Sequence, residues 1–390
     1  MRNKGTIAYI GGFELPDKNA AAHRVISNGK ALEQLGYKVV FVGVTDDDKI
    51  INNKIVHYGF DTYATRVPRG LMEQVSYFYD VSHYKKIFDT LENLKGVICY
   101  NMPSGLMRNL RKYNSSRNVK TFADVTEWYL GSLKSNILMT LFKRNEYKIR
   151  MLYTAKKLDG VIAISSYLNT YFKEKNAATI TIPPLVDSYD EKWGNIPSSA
   201  DAPIKIVYAG GAFSIKEAYV KDRLDLVIEA LSVLKREGFN FIFNVFGTSL
   251  EEFLVFYPNL IENVNTLDNS LFFHGKVSHK EALSLVRKSD FSIFIRDKSK
   301  VTMAGFPTKF VESITSGTIV LTNNNSNVQD FLTEGENGFL INISSLDAII
   351  ASLRVPLSMD KERLAIMKDK TFKSKLFDYR NYIKEFDKMF

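Results

Sequence analysis

A chain of 390 residues is too long for one ordinary core and fits two α/β domains of common size. Hydrophobic residues at 45% and charged residues at 24% describe a globular protein and exclude a disordered or fibrous one, and no run of about eighteen apolar residues is present. The net charge of +9 lies wholly in the first half: residues 1–195 hold 28 Lys and Arg against 19 Asp and Glu, the remainder 24 against 24. Such a one-sided basic surface favours anionic partners, either acidic lipid headgroups or a phosphate-bearing acceptor. Nucleic acid is set aside, because no helix-turn-helix, zinc ligand set or aromatic RNA-binding strand accompanies the charge.

The N-terminus, Met-Arg-Asn-Lys-Gly, enters a short strand rather than a signal segment, so the expected location is the cytoplasm. Short β-rich runs then alternate with helical patterns, which argues for parallel sheets covered on both faces. In the first half strands are expected at 6–10, 38–42, 96–100, 120–123 and 160–164. The second half repeats the layout at 204–208, 241–246, 271–274, 291–295 and 318–321. The stretch 183–203, rich in Pro, Ser and acids and without periodicity, reads as a linker. The expected domains are therefore 1–185 and 204–371, joined by 186–203. A last helical pattern follows over 372–390. Cys99, the only cysteine, sits in the strand-like run Val-Ile-Cys-Tyr and reads as a core residue.

Each half opens with a strand ending in a glycine pair, Gly11-Gly12 before a helix from about Asn19 to Leu35, and Gly210-Gly211 before a loop and a helix over 224–236. Ligands of open α/β sheets lie beyond the carboxyl ends of the strands, and adjacent glycines let backbone approach a bound group closely. Lys216, Lys221 and Arg223 follow the second pair. Cations at the mouth of a sheet would stabilise an anionic group bound beyond its strand ends. Gly247 and Gly275 follow the next two strands. Arg296 and Asp297 follow the strand after those.

The most informative segment is Ala304-Gly-Phe-Pro-Thr-Lys-Phe-Val-Glu312. Pro307 has a fixed φ suited to a first helical position, and the free amides of the helix start, near Thr308, point toward an anion. Phe310, Val311 and Ile314 form the apolar stripe. Lys309 and Glu312, three apart, offer a cation and a hydrogen-bond acceptor to one ligand.

Gly305, Phe306 and Glu312 resemble the spaced-glutamate motif of the GT-B glycosyltransferases, most closely family four of the retaining enzymes. The first glutamate of that motif is replaced by Ala304. The resemblance implies a GT-B fold of two Rossmann-like parallel-sheet domains facing across a cleft, with the donor in the second domain and Glu312 on the donor ribose. It also implies that the first glycine pair faces the donor phosphate, that the loops at Gly247 and Gly275 pass the base, and that residues 372–390 cross back to the first domain. The donor would be a UDP- or GDP-sugar, with no further cofactor and no metal. The acceptor would be a glycan or a lipid-linked molecule in bacterial-type polysaccharide or glycoconjugate assembly. Arg296 and Asp297 are candidates to touch the sugar in place of the lost glutamate.

For the acceptor, Asp124 and Glu127 in Phe-Ala-Asp-Val-Thr-Glu-Trp-Tyr combine carboxylates with the flat faces of Trp128 and Tyr129, a sugar-binding chemistry. Equally, Asp124 fits as the cap of a helix whose first turn carries Glu127. His23 and Arg24 lie near the first glycine turn. Asp46-Asp47-Asp48 resembles a metal-binding Asp-x-Asp but reads as a solvated turn, and His274 and His279 lack partners at metal spacing. The run 135–157 interleaves Ile, Leu and Phe with Lys143, Arg144, Lys148, Arg150, Lys156 and Lys157, and suits either a basic-faced core helix or contact with an anionic membrane. Alternatives to a transferase are a GT-B sugar-nucleotide epimerase and a catalytically silent GT-B binding subunit.

Overall fold

The computed structural model describes residues 4–16, 19–51, 53–128, 137–174, 178–194, 196, 202–214 and 219–390. They divide into two units, the first drawn from residues 1–187, 304–306 and 377–390, the second from 188–303 and 307–376.

The first unit is built on eight strands: β1 Gly5–Gly11, β2 Tyr37–Thr45, β3 Ile55–His57, β4 Phe60–Arg66, β5 Leu94–Tyr100, β6 Lys120–Val125, β7 Gly160–Ala163 and β8 Thr179–Thr181. Their order is β3-β4-β2-β1-β5-β6-β7-β8. All neighbours are parallel except β3 and β4, which form a hairpin. All seven residues of β1 are buried, as expected of a central parallel strand covered on both faces. The register sets Tyr9 beside Phe41 and Ile98, so large side chains share a layer. The helix Ala20–Gln34 is capped by Asn19, whose side chain accepts from the Ala22 amide at 2.9 Å.

Sequence reading missed the edge strand β8, and it also missed β3 and β4. They turn through Tyr58 at φ 52° and Gly59 at φ 86°, a two-residue hairpin turn inside a polar stretch, and β4 buries only alternate residues.

The closing segment is not one helix. The helix Lys361–Lys373 stops before Lys375 at φ 49°; Asp378 then caps a 3₁₀ turn, Tyr379–Tyr382, that leads into the helix Ile383–Asp387. Tyr379, Phe386 and Met389 join the core of the first unit, and the Phe390 ring lies 4.5 Å from that of Phe122.

The second unit contains β9 Ile204–Ala209, β10 Phe213–Ser214, β11 Tyr219–Val220, β12 Phe241–Phe246, β13 Leu271–Phe273, β14 Phe291–Phe294, β15 Ile319–Thr322 and β16 Gly338–Leu340. Six form one sheet, β13-β12-β9-β14-β15-β16, with every pair parallel; β10 and β11 make a small separate hairpin. The helix Leu224–Arg236 returns from the first strand and buries Leu224, Val227, Ile228, Leu231 and Leu234. Every strand anticipated in both halves is present. The carboxyl ends of β9, β12 and β14 therefore lie side by side, where an α/β sheet places its ligand.

Candidate functional site

Three glycine turns close the strand ends of the second unit. The Gly210 amide donates to the Phe246 carbonyl at 3.0 Å, and the Gly247 amide to the Gly275 carbonyl at 2.7 Å. Gly210 at φ 128° and Gly247 at φ 90° pack backbone on backbone: a Cβ on Gly247 would lie 2.6 Å from the Gly210 carbonyl carbon. A Cβ on Gly210 would meet Lys309 Cε at 2.7 Å. Glycine at 210 therefore makes room for the lysine. Gly211 is exposed, with open space at its Cα.

Lys309 reaches a buried charge cluster centred on Asp222, which is 1% exposed. Asp222 accepts from the Tyr208 hydroxyl at 2.7 Å, from Arg296 Nε at 2.5 Å and from the Lys309 ammonium, which also lies 3.8 Å over the Tyr208 ring. Burial alone would raise the Asp222 pKa, but Lys309 and Arg296 outweigh it and hold the carboxyl well below the usual range. Burial likewise pushes Lys309 down, to about 8, against the pull of Asp222. Asn323 fixes the Arg296 backbone, accepting from its amide and donating to its carbonyl, each at 2.9 Å.

Lys221, next in chain to Asp222, has an exposed side chain whose pKa is lowered by desolvation and by the charge of Arg296. Its charge acts in turn on Lys309. Two cations thus pair with one carboxylate, and Lys221 adds a third positive charge within electrostatic reach. The excess is two positive charges at the strand ends, and only Arg296 Nε among that side chain's nitrogens is committed to protein among the described residues.

Arg223 is used differently. Its guanidinium is forked onto Asp225 at 2.7–3.1 Å and reaches Asp297 at 3.2 Å. Lys216 lies outside the described residues.

The helix Thr308–Thr315 starts one residue later than its proline suggested, with Pro307 as the flanking residue at φ −73°. Phe310 is fully buried and serves as the packing anchor, whereas Thr308 is exposed and Glu312 half-buried one turn further on. Lys309 and Glu312 take different partners: Glu312 Oε1 lies 3.2 Å from His279 Nε2. Ser278 and Glu281 form a capping box around the start of the helix that carries His279. His274 stacks on Phe246 with ring centres 4.2 Å apart and bonds Asn244 at 2.9 Å.

In the first unit, Gly11 ends β1 in contact with the Tyr100 backbone, and Gly12 beyond it is exposed. Asp124 is not a helix cap: it is the fifth residue of β6, fully buried, and forked by Arg24 at 2.7–3.2 Å while also accepting from Tyr9. Arg24 spends its remaining donor on the carbonyls of Ile182 and Pro183, at 2.9 and 3.2 Å. Both carboxylate oxygens are thus consumed inside the core. Glu127 and Trp128, partly buried, stand just past the end of β6, and Tyr129 lies outside the described residues. Asp46 and Asp48 are paired with Arg69 and Arg66 in the turn after β2. No cluster of three His, Cys, Asp or Glu suited to a metal occurs among the described residues.

Residues 212–372 match the family model for Glycosyl transferases group 1. No curated protein matches the chain by sequence. In structure the chain is similar to sucrose-phosphate synthase from Thermosynechococcus elongatus, with TM-score 0.69 at 16% identity over 99% of this chain and 98% of that one. It is similar also to Anabaena HepE in complex with UDP and glucose, with TM-score 0.62 at 12% identity over 98% of each chain. A third likeness is to the lipopolysaccharide outer core galactosyltransferase WaaB, with TM-score 0.63 at 13% identity over 98% of this chain and 99% of that one. At such identities the likeness is one of fold.

Proposed function

We propose that this chain of GT-B fold, whose residues 212–372 match the group 1 glycosyl transferases, moves a sugar, with retention, from a nucleoside diphosphate to a glycan or lipid-linked acceptor in polysaccharide or glycoconjugate assembly. The observation that carries this reading is the excess of two positive charges around Asp222. A diphosphate leaving group gains negative charge as its bond to the sugar breaks, and fixed cations at partly dry strand ends stabilise that charge. Lys221, Lys309 and the free end of Arg296 meet the phosphates; Asp222 holds two of these cations in place. Glu312 accepts from the donor ribose, with its carboxylate set by His279. Gly210, Gly211, Gly247 and Gly275 let the backbone come close to the nucleotide, and Thr308 presents the helix start. Asp297, occupied by Arg223, has less freedom to reach the sugar.

The complex of HepE with UDP and glucose supports a UDP-sugar over a GDP-sugar as donor. In this reading the cations do the work of a metal, so none is required. The protein acts in the cytoplasm, touching the membrane peripherally. No helix among the described residues is long and apolar enough to cross one. Release of nucleoside diphosphate, measured for a panel of nucleotide sugars with and without acceptors and with chelator, tests the reading. Acceptor-dependent release that survives chelation is expected, and no release from any donor would overturn it.

A further inference from the structure

The first unit holds a cationic pocket that the donor chemistry does not use. The helix Ile137–Ile149 runs into a π-helical turn, Arg150–Thr154, a local irregularity that recurs at functional sites. The first residue of that turn, Arg150, is 1% exposed, and none of its three side-chain nitrogens has a hydrogen-bond acceptor among the described residues. An arginine cannot shed its charge in a protein, so a buried guanidinium without an acceptor is costly unless something fills its fork. The Tyr147 ring lies 4.4 Å from it and satisfies the face of the guanidinium, not its N–H groups. Burial pushes the Arg150 pKa down, and the partial compensation comes first from Tyr147 and then from Glu127, neither of them bonded to its nitrogens.

Arg150 lines a cavity of about 310 Å³ together with Lys143, Glu146, Tyr77, Tyr147 and Asn101. That volume is at the small end of ligand sites and suits one sugar ring. Glu146 does not neutralise Arg150: its carboxylate accepts from the Gly105 amide at 3.1 Å and the Tyr79 hydroxyl at 3.5 Å. Asn101 stands immediately after β5 at φ 46°, anchored by its amide to the Asp124 carbonyl at 3.0 Å and by its side chain to Thr126 at 2.6 Å. The cavity therefore opens beside the carboxyl ends of β5 and β6, where an α/β sheet binds ligand.

We infer that this pocket takes an acidic sugar, its carboxylate or phosphate held in the fork of Arg150 and its ring against Tyr147 and Tyr77. Naming that sugar the acceptor rests on the transferase reading; the pocket's preference for an oxyanion does not. A planar guanidinium matches either anion by two parallel N–H···O bonds, and Lys143 adds a second positive charge.

Calorimetry of the full chain with glucuronic acid, glucose 6-phosphate, glucose and inorganic phosphate tests the inference, with UDP titrated in parallel. At least one acidic sugar should bind about tenfold or more tightly than glucose. Arg150→Met should remove that preference without lowering the urea midpoint, because it deletes an unpaired buried charge. Lys143→Ala, on a partly exposed side chain, should weaken acid binding several-fold and supplies a second variant if Arg150→Met does not fold. Equal affinity for glucose and both acids, inorganic phosphate binding as tightly as either acidic sugar, or unchanged acid binding in both variants would overturn it. UDP binding without acid binding leaves the donor reading standing and the pocket inference refuted; acid binding without UDP binding does the reverse.

Discussion

The Tyr208 hydroxyl donates to Asp222 at 2.7 Å, and the same device stands in the other unit, where Tyr9 on the first strand donates to Asp124. In each case an arginine completes the arrangement, Arg296 for Asp222 and Arg24 for Asp124. The two differ in balance. Arg24 and Asp124 are one cation and one anion with all three guanidinium nitrogens engaged, a structural lock, whereas Asp222 also carries Lys309 and leaves positive charge over.

Asp222→Asn should therefore be strongly destabilising, by about 3–5 kcal/mol, because it leaves two buried cations without their counter-ion. Urea unfolding measures this. A midpoint unchanged from the parent would mean that the cluster does not hold the strand ends together.

Lys309 fixes a pH dependence. Its pKa in the folded chain is about 8, below the unfolded value near 10.4. Between these values the folded state binds fewer protons than the unfolded one, so this group's contribution to stability rises with pH. Nucleotide affinity runs the other way, since the charge that meets the phosphates is lost as pH rises through 8. UDP binding should fall several-fold between pH 7 and pH 9 with no loss of fold from this group, and Lys309→Arg should flatten the profile. An unchanged affinity over that range in the parent would remove Lys309 from the phosphate site.

The cations can be ranked. Lys221→Ala should lower turnover about tenfold or more through lost leaving-group stabilisation, and Arg296→Ala should do so while also removing one of the two cations paired with Asp222. Arg223→Ala should be milder, because that guanidinium is already committed to Asp225 and Asp297. Steady-state rates with a saturating donor decide it; a larger loss in Arg223→Ala than in Lys221→Ala would reverse the assignment.

The proposed membrane contact would use one set of side chains. Arg144, Lys148 and Lys157 are exposed beside Leu141, Ile149 and Tyr153, on the helix and turns that follow residue 136. Each basic residue near an acidic leaflet is worth about 1 kcal/mol, screened over a Debye length of roughly 8–10 Å. Co-sedimentation with vesicles containing acidic lipid should therefore be strong at low salt, weak at high salt and absent with neutral lipid. Equal pelleting with neutral vesicles would argue against it.

The central strands were legible because parallel strands buried on both faces read as unbroken apolar runs, whereas short edge strands such as β8 and β16 were not, and the helix Thr308–Thr315 was legible because its proline and apolar stripe are local signals. Asp222 was not. Beside Lys221 and Arg223 it looks like one more surface charge, and only the fold brings Arg296 and Lys309 to it from 74 and 87 residues away. Asp124 misleads for a related reason: an acid after a strand-like run fits a cap or a sugar contact equally well, and nothing local announces Arg24 a hundred residues earlier. Arg150 sits within a basic run whose other members are mostly exposed, so its burial leaves no mark in the composition.

The central claim is that the second unit binds a nucleotide sugar through Glu312, and one comparison tests it most directly: kcat/KM for sugar transfer, with UDP affinity, in Glu312→Ala and the parent. If the carboxylate accepts from the ribose hydroxyls, the variant loses about 2–4 kcal/mol of transition-state binding while unfolding at the parental midpoint, since the side chain is only half-buried. Parental transfer with unchanged nucleotide affinity would contradict the account.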